Sequence, residues 1–229
     1  MIDIDLKYQV VLFGNFEEIS PSPDILKYFI EVFSDKQFIP TTFQELGPNG
    51  PINRFSLTTT DEVWLIEFST NRVDIHKNNK NIGVSDMGSL EQFISDVKEI
   101  VTKINERFLR KYNRLSLVTR CLLKNMDAEQ MSHIYHKLNK TIDIYDENLL
   151  ADWTNRTVAR LPVKIGEQDE TFNVISEIKR LKGNLKINSN INGIDRIEMH
   201  FDLNTYQGNT EFRFDKELCN LFLDKSFNL

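Results

Sequence analysis

The sequence predicts an α+β protein made of two β-α-β(3-4)-α units, in which antiparallel sheets are covered by helices on one face. Three observations predict this class. Strand-like segments follow one another without intervening helices, four other segments have the apolar period of helices, and the order of elements in residues 1–113 returns in residues 114–229. We therefore expect two units that pack as one compact body.

The first unit opens with a strand and a helix. Residues 8–16 are rich in β-branched and aromatic side chains, which is typical of a buried strand. Ser22 can cap the helix that follows, and Pro23 suits its first position. Residues 38–46 favour an extended segment, and the glycine- and proline-rich residues 47–51 predict a loop.

Three short strands and a long helix complete the first unit. Turn-forming pairs separate three strand-like segments, at residues 54–59, 63–68 and 72–77. They predict a meander of hairpins, followed by a loop at residues 78–88. Ser89 and Gln92 then form a capping-box pattern, and a continuous apolar stripe predicts a helix up to about Tyr112.

The second unit follows the same order. Residues 114–123 are strand-like, and residues 127–138 predict a short helix. After a linker come three extended stretches, at residues 157–165, 171–181 and 195–204. A C-terminal helix capped by Asp215 closes the chain. The TATA-box-binding protein and helix-grip proteins have a similar order, which predicts a second sheet face that is free to bind something.

Several segments also resemble a known family. They are, in order, the strand at residues 10–16 with Pro23, the loop at 47–51, the strands at 55–57, 64–66 and 72–75, the long helix, and the strand at 114–117. Over roughly residues 7–125 the chain resembles a sporadically distributed bacterial family of about this length that is functionally uncharacterised. The resemblance implies no catalytic residues, and the patchy distribution suits a phage-defence or mobile-element system.

Composition and charge restrict the classes of function. With 40% apolar, 10% aromatic and 27% charged residues, the chain is typical of a globular protein with a packed core. It has no apolar run of the roughly 18 residues that span a membrane, and its N-terminus is acidic where a secretory signal would be basic, so we expect a cytoplasmic protein without membrane contact. The net charge of −6 disfavours generic nucleic-acid binding, although the second half, with 17 acids and 16 bases, leaves room for a basic patch.

The remaining motifs give little sign of cofactor chemistry. Cys121 and Cys219 lack the paired spacing of zinc or redox sites and are predicted to be buried thiols. The phosphate-binding loop, the nucleophile elbow, the zinc-protease motif and the dinucleotide fingerprint are all missing from the sequence. We therefore expect no cofactor.

The strongest polar pattern lies in residues 195–204. Glu198, His200 and Asp202 alternate with apolar residues and share one strand face, where flanking carboxylates could raise the pKa of the histidine for acid–base chemistry. A solvated strand face explains the same alternation. Arg72, Asp74 and His76 form a similar but weaker polar pattern on another strand, and the two patterns could form one site if both strands face a common groove.

Three further sets of residues are candidates for binding. His133 and His136 have the spacing of two metal ligands on a helix, without an indicated third ligand. Arg107, Arg110, Lys111 and Arg114 cluster near the end of the long helix, where they can either complement the helix dipole or contact an anion. Trp153, in a linker, is a candidate for an exposed aromatic anchor.

These observations favour a non-enzymatic binding or accessory subunit of a bacterial protein complex. Its partner is predicted to be another protein, encoded nearby, or a second copy of the chain. Two alternatives remain open: a small cofactor-free enzyme that uses the Glu198, His200 and Asp202 face, and a nucleic-acid or nucleotide binder that uses the cluster from Arg107 to Arg114.

Overall fold

The computed structural model describes residues 2–140 and 142–228, so Met1, Thr141 and Leu229 of the predicted units 1–113 and 114–229 lie outside the described residues. The strands are β1 (Ile2–Phe13), β2 (Ile39–Gly47), β3 (Gly50–Thr58), β4 (Trp64–Phe68), β5 (Arg72–Asn78), β6 (Arg114–Leu123), β7 (Thr154–Ile165), β8 (Gln168–Ile187) and β9 (Asn190–Thr205). The helices are α1 (Pro23–Val32), α2 (Leu90–Arg107), α3 (Ala128–Leu138), α4 (Asp143–Asp146) and α5 (Lys216–Phe227).

All nine strands form one antiparallel sheet, in the order β2-β3-β4-β5-β1-β6-β9-β8-β7. The predicted fold class, two β-α-β units with sheets covered by helices, is wrong. The sheet is continuous because β1 pairs with β5 on one side and with β6 on the other, from Ile2 opposite Leu123 to Phe13 opposite Arg114. The first strand of each half thus lies at the centre of a single large sheet.

Most local elements lie where the sequence predicts them. The strand at Arg114–Leu123 has the predicted bounds, and the side chains of Ser22, Ser89 and Asp215 cap α1, α2 and α5 by accepting backbone N–H bonds. The predicted loop at residues 47–51 is wrong. It is a tight hairpin turn between β2 and β3, in which Gly47 pairs with Gly50 and Pro51 pairs with Leu46.

Helix α2 is shorter than predicted, since it ends at Arg107 rather than near Tyr112. The buried side chain of Asn105 explains the end of the helix. Its oxygen accepts the backbone N–H of Arg110 at 3.2 Å, and its amide nitrogen donates to the Tyr112 hydroxyl at 2.6 Å. These bonds replace the helical bonds that the following turn would have made.

The β8–β9 hairpin extends well beyond the sheet and folds back to another loop. Asn188 and Ser189 both have positive φ angles, as a two-residue type I′ turn requires. The backbone of Ile82 donates to the Lys186 carbonyl at 2.9 Å and accepts from the Asn188 N–H at 2.8 Å. The predicted loop at residues 78–88 is therefore tethered to the hairpin tip.

Two apolar clusters form the core, and both lie on the same face of the sheet. The larger one joins strand residues such as Val10, Leu117 and Leu203 to Phe29 of α1, Val97 of α2 and Phe222 of α5. The smaller one joins Leu123 and Ile197 to Met131 of α3. Side chains alternate between faces along each strand, and every strand residue of the two clusters has the parity of this covered face.

Candidate functional site

The opposite face of the sheet, here called the open face, contributes no strand residue to either apolar cluster of the described residues. The registers place polar and charged side chains of neighbouring strands side by side on it. At one level it presents Lys7 of β1, Arg120 of β6, His200 of β9, Glu177 of β8 and Arg156 of β7. A row of titratable groups therefore crosses five adjacent strands.

An ion-pair network around one buried carboxylate, Glu198, joins this row to the next level of the open face. Glu198 is only 1% exposed, and its Oε2 accepts a 2.7 Å hydrogen bond from Arg120 Nη2. Its other oxygen lies 3.2 Å from Lys179 Nζ, which also donates to Glu177 at 3.1 Å. This second contact lowers the pKa of the Glu177 carboxyl. Two basic and two acidic side chains are thus joined in one network.

Two neighbours of Arg120 are shifted towards their neutral forms. Burial lowers the pKa of Lys7, and the charge of Arg120 on the adjacent strand lowers it further. The same two causes lower the pKa of His200, in the same order. The predicted rise in the pKa of His200 is therefore wrong, because burial and the guanidinium outweigh the carboxylates around it.

The predicted trio of Glu198, His200 and Asp202 shares the open face but does not act as one unit. Glu198 binds Arg120, while Asp202 accepts hydrogen bonds from the Ser116 hydroxyl at 2.8 Å and the Asn204 amide at 3.0 Å. No hydrogen bond joins His200 to either carboxylate in the described part of the chain. Each carboxylate is instead engaged by a different partner, so the three side chains share a face without forming one network.

The similar polar pattern on β5, formed by Arg72, Asp74 and His76, also lies on the open face. Strands β1 and β6 lie between β5 and β9. Asp74 pairs with Arg72 at 2.7 Å and accepts from the Gln9 side chain at 2.8 Å. His76 is buried, with its Nε2 3.4 Å from the carboxylate of Glu67, and this neighbour lowers the pKa of Glu67. The two predicted groups face the same side of the sheet without contacting each other.

Arginines and aromatic rings alternate at the end of the open face where β1 ends. Phe13 pairs in register with Arg72 on one side and Arg114 on the other, and the Arg114 guanidinium lies 4.6 Å from the centre of the Phe13 ring. Arg160 lies 5.2 Å from the centre of the Tyr206 ring, farther along the same end. Neither Arg114 nor Arg160 has a carboxylate within 4.0 Å among the described residues.

The predicted basic cluster is divided between two sides of the molecule. Arg107 stacks 4.8 Å from the Tyr28 ring centre, and Arg110 contacts Glu18 and lies over Phe16, so both bind their own fold on the helical side. Lys111 is exposed beyond the end of α2. Only Arg114 reaches the open face, because it begins β6.

Trp153 is not an exposed anchor. It is 7% exposed and packs in the smaller apolar cluster, 5.4 Å from the Tyr135 ring centre. The prediction failed because the linker before β7 folds over α3, so the indole covers an apolar surface that the sequence does not reveal. The thiols of Cys121 and Cys219 are buried, as predicted.

His133 and His136, the predicted pair of metal ligands, have different surroundings. His136 Nδ1 lies 3.2 Å from Asp146 and its Nε2 lies 3.3 Å from the Ser132 hydroxyl, while His133 is exposed. Among residues 2–140 and 142–228, no group of three or more histidine, cysteine, aspartate or glutamate side chains is arranged to hold a metal ion. The pair therefore gains no third ligand from the described residues.

Comparisons with protein-family models, with curated proteins and with solved structures found no match to this chain. The resemblance to a bacterial family over residues 7–125 thus stays a prediction. Within the described residues, no helix is both long and apolar enough to cross a membrane.

Sequence reasoning missed four residues of the open face: Lys7, Phe13, Arg120 and Tyr206. The alternation in β1 and β6 could have placed Lys7, Phe13 and Arg120 opposite the buried residues of their own strands. It could not have shown that they are neighbours, because the pairing of β1 with β6 joins segments separated by most of the first half of the chain.

Proposed function

We propose that the protein is a non-enzymatic accessory subunit that receives another protein on the open face of its sheet. The observation that carries this proposal is the one-sided core. Every strand residue of both apolar clusters faces the helices, so a sheet of nine strands leaves its other face available. A face of that size can present the area that a specific protein interface needs.

The composition of the open face supports a protein partner. Val118, Ile175 and Val158 lie at one level of β6, β8 and β7, next to the ion-pair network of Arg120 and Glu198. Val158 is 52% exposed. Apolar side chains among paired charges are typical of non-obligate protein interfaces, in which charges set specificity and apolar groups supply much of the affinity.

The charge states of the same face fit recognition better than proton transfer. Lys179 lowers the pKa of Glu177, burial lowers the pKa of His200, and Glu198 is ion-paired with both Arg120 and Lys179. A general acid–base pair needs a donor and an acceptor within hydrogen-bond reach of each other or of one substrate. The network instead presents fixed, mutually neutralised charges.

Affinity purification with a matched pair of variants tests this proposal. The tagged protein is expressed in its native host with its genomic neighbours, and the purified species is measured by mass spectrometry and by its mass in solution. Val158→Glu places a charge on the open face, and Ile30→Glu makes the same kind of change on α1, where Ile30 is 50% exposed. We expect a stoichiometric partner that Val158→Glu removes and Ile30→Glu retains.

Two results would contradict the proposal. The first is a monomer or a homodimer as the only species in every preparation. The second is a partner that Ile30→Glu loses and Val158→Glu keeps, which would place the interface on the helical side. Thermal unfolding of both variants shows whether each remains folded, so that a lost partner is not confused with a lost fold.

A further inference from the structure

A pocket is the second feature of the open face. It lies at the end of the face where β1 ends, beyond Phe13 and away from the ion-pair network. A pocket of about 340 Å³ is lined there by Phe13, Phe212, Asn15, Asn71, Asn113 and Thr70. It lies between the end of β1, the β4–β5 turn and the residue before β6. Phe212 is 52% exposed, so one aromatic ring of this pocket is open to a ligand.

Two polar side chains of the pocket lining, Asn71 and Asn113, are free to bind, whereas Asn15 and Thr70 hydrogen-bond to Glu17 and Glu45. The side-chain amides of Asn71 and Asn113 make no hydrogen bond to another residue in the described ranges, although their backbone groups do. An amide offers both a donor and an acceptor, which matches the hydrogen-bonding edge of a nucleobase. Glu17 also lines the pocket, and its carboxylate can accept from a base N–H or a sugar hydroxyl.

Two arginines adjoin Phe13, which lines the pocket. Arg72 and Arg114 flank Phe13 on the two adjacent strands. The Nε of Arg114 is buried without a hydrogen-bond partner, and burial lowers the pKa of this guanidinium. Arg72 forms an ion pair with Asp74 at 2.7 Å, whereas Arg114 has no carboxylate within 4.0 Å in the described part of the chain. The guanidinium of Arg114 lies over the Phe13 ring, and guanidinium groups bind phosphate well.

We infer that this end of the open face binds a nucleotide. The base stacks against Phe212 and Phe13 in the pocket, Asn71 and Asn113 read its edge, and Arg114 and Arg72 hold the phosphate. Aromatic stacking beside arginine is the way proteins bind unpaired bases. A base-paired duplex does not fit, because a paired base cannot enter a pocket of this kind.

The nucleotide can come from two sources, a free mononucleotide or a unit of a single strand. Arg160 and Tyr206 extend the arrangement of arginine and ring along the same end of the face, where a second nucleotide of a strand would lie. Both sources share the same chemistry at the pocket. The inference does not depend on the proposed protein partner, since the pocket lies beyond Phe13 while Val158 lies at the level of Gln9.

Isothermal titration calorimetry of the full chain tests the inference. The probes are 5′-AMP, GMP, CMP and UMP, the corresponding nucleosides, a single-stranded RNA dodecamer and its duplex. Arg114→Gln removes the unpaired guanidinium and Phe212→Ala removes the exposed ring, while Arg156→Gln, an exposed arginine higher on the same face, is the matched control. We expect each site variant to weaken nucleotide binding about tenfold, and the control to change it less than about twofold.

The outcomes separate the two sources and expose a failure. Tighter binding of the dodecamer than of any mononucleotide, with a steep loss of affinity on adding salt, identifies a strand as the ligand. Equal binding of both identifies a free nucleotide. The inference is overturned if no probe binds at millimolar concentration, if nucleosides bind as well as nucleotides, or if Phe212→Ala and Arg114→Gln both bind like the unmodified protein. Retention of the protein partner by Arg114→Gln would leave the proposed function standing.

Discussion

The guanidinium of Arg120 donates a 2.7 Å hydrogen bond to the carboxylate of Glu198, which is 1% exposed on the face of the sheet opposite the described helices. Two cations neutralise this one acid, since Lys179 contacts its other oxygen at 3.2 Å. The carboxylate is therefore shielded by its own partners rather than by an apolar layer. Its removal should cost more than the loss of an ordinary surface ion pair.

We expect Glu198→Gln to lower the free energy of unfolding by about 2 kcal/mol, measured by urea denaturation. The value lies below that of a fully buried pair because the Arg120 and Lys179 side chains are 40% and 29% exposed and can regain water. Lys164→Gln is the control, since its pair with Asp169 at 3.8 Å is exposed on both sides and should contribute about 0.5 kcal/mol or less. Equal effects of the two variants would contradict the buried network.

The lowered pKa of His200 predicts a dependence of stability on pH in the weakly acidic range. The unfolded chain binds a proton near the ordinary value of 6.5, whereas the folded protein resists protonation because of burial and Arg120. The unfolded state thus binds more protons below pH 6.5, so stability falls as the pH falls from there towards the folded pKa. We expect His200→Gln to flatten this part of the profile of unfolding free energy against pH.

A further loss of stability should follow at lower pH. The pKa values of Glu67 and Glu177 are lowered by His76 and Lys179 respectively, so their contribution is present above the ordinary carboxyl value of 4.5 and is lost as the pH falls below it. This second step should persist in His200→Gln. If the profiles of unfolding free energy against pH are the same for His200→Gln and the unmodified protein between pH 7 and pH 5, the pKa of His200 is not lowered by folding.

Arg54 predicts a large cost for a single substitution far from the open-face network. It is 2% exposed and donates to the carbonyl oxygens of Phe68, Phe16, Ser69 and Glu17, at 2.9, 2.6, 3.1 and 3.2 Å. Arg54→Ala leaves these buried acceptors without donors, and we expect a loss of about 3 kcal/mol in the free energy of unfolding.

The shape of the guanidinium matters at this position as well as its charge. Arg54→Lys keeps the charge but cannot reach four carbonyl groups with one ammonium, so it should recover less than about half of the lost stability. Full recovery in Arg54→Lys would mean that only the charge is needed. The measurement is again urea denaturation, with both variants compared under the same conditions.

The two free thiols should be unreactive in the folded protein. Burial raises the pKa of Cys219 to about 12 and that of Cys121 to about 11, so almost no thiolate exists at neutral pH. We expect the native protein to show no reaction with a thiol-specific reagent while the protein in guanidinium reacts at both cysteines. Rapid reaction of one equivalent of the reagent with the native protein would show that one of the two cysteines is accessible, and would contradict its burial.

Much of the local structure could be read from the sequence because local forces decide it. Ser22, Ser89 and Asp215 cap helices through bonds to residues three positions away, and β6 has the predicted bounds because its apolar and polar residues alternate. The same alternation placed Glu198, His200 and Asp202 on one face. Their spacing along the strand predicted a shared face but did not decide whether they interact.

The failures concern contacts between distant segments. The division into two units failed at β1, whose second edge pairs with β6 instead of ending the first sheet. The exposed position predicted for Trp153 failed because α3 offers it an apolar surface. The four basic residues from Arg107 to Arg114 do not form one cluster, because Arg107 contacts Tyr28 and Arg110 contacts Glu18, which are distant in the sequence.

The sequence by itself determined most of the helices and strands and the polar side of strands such as β9, because caps, turns and the period of apolar residues act within a few positions. Only the tertiary structure decided that Phe13 lies between Arg72 and Arg114, and that Arg120 lies beside Glu198. These neighbours come from strand pairings over long chain separations. Such pairings are selected by the packing of the whole sheet against its helices rather than by any short stretch of residues.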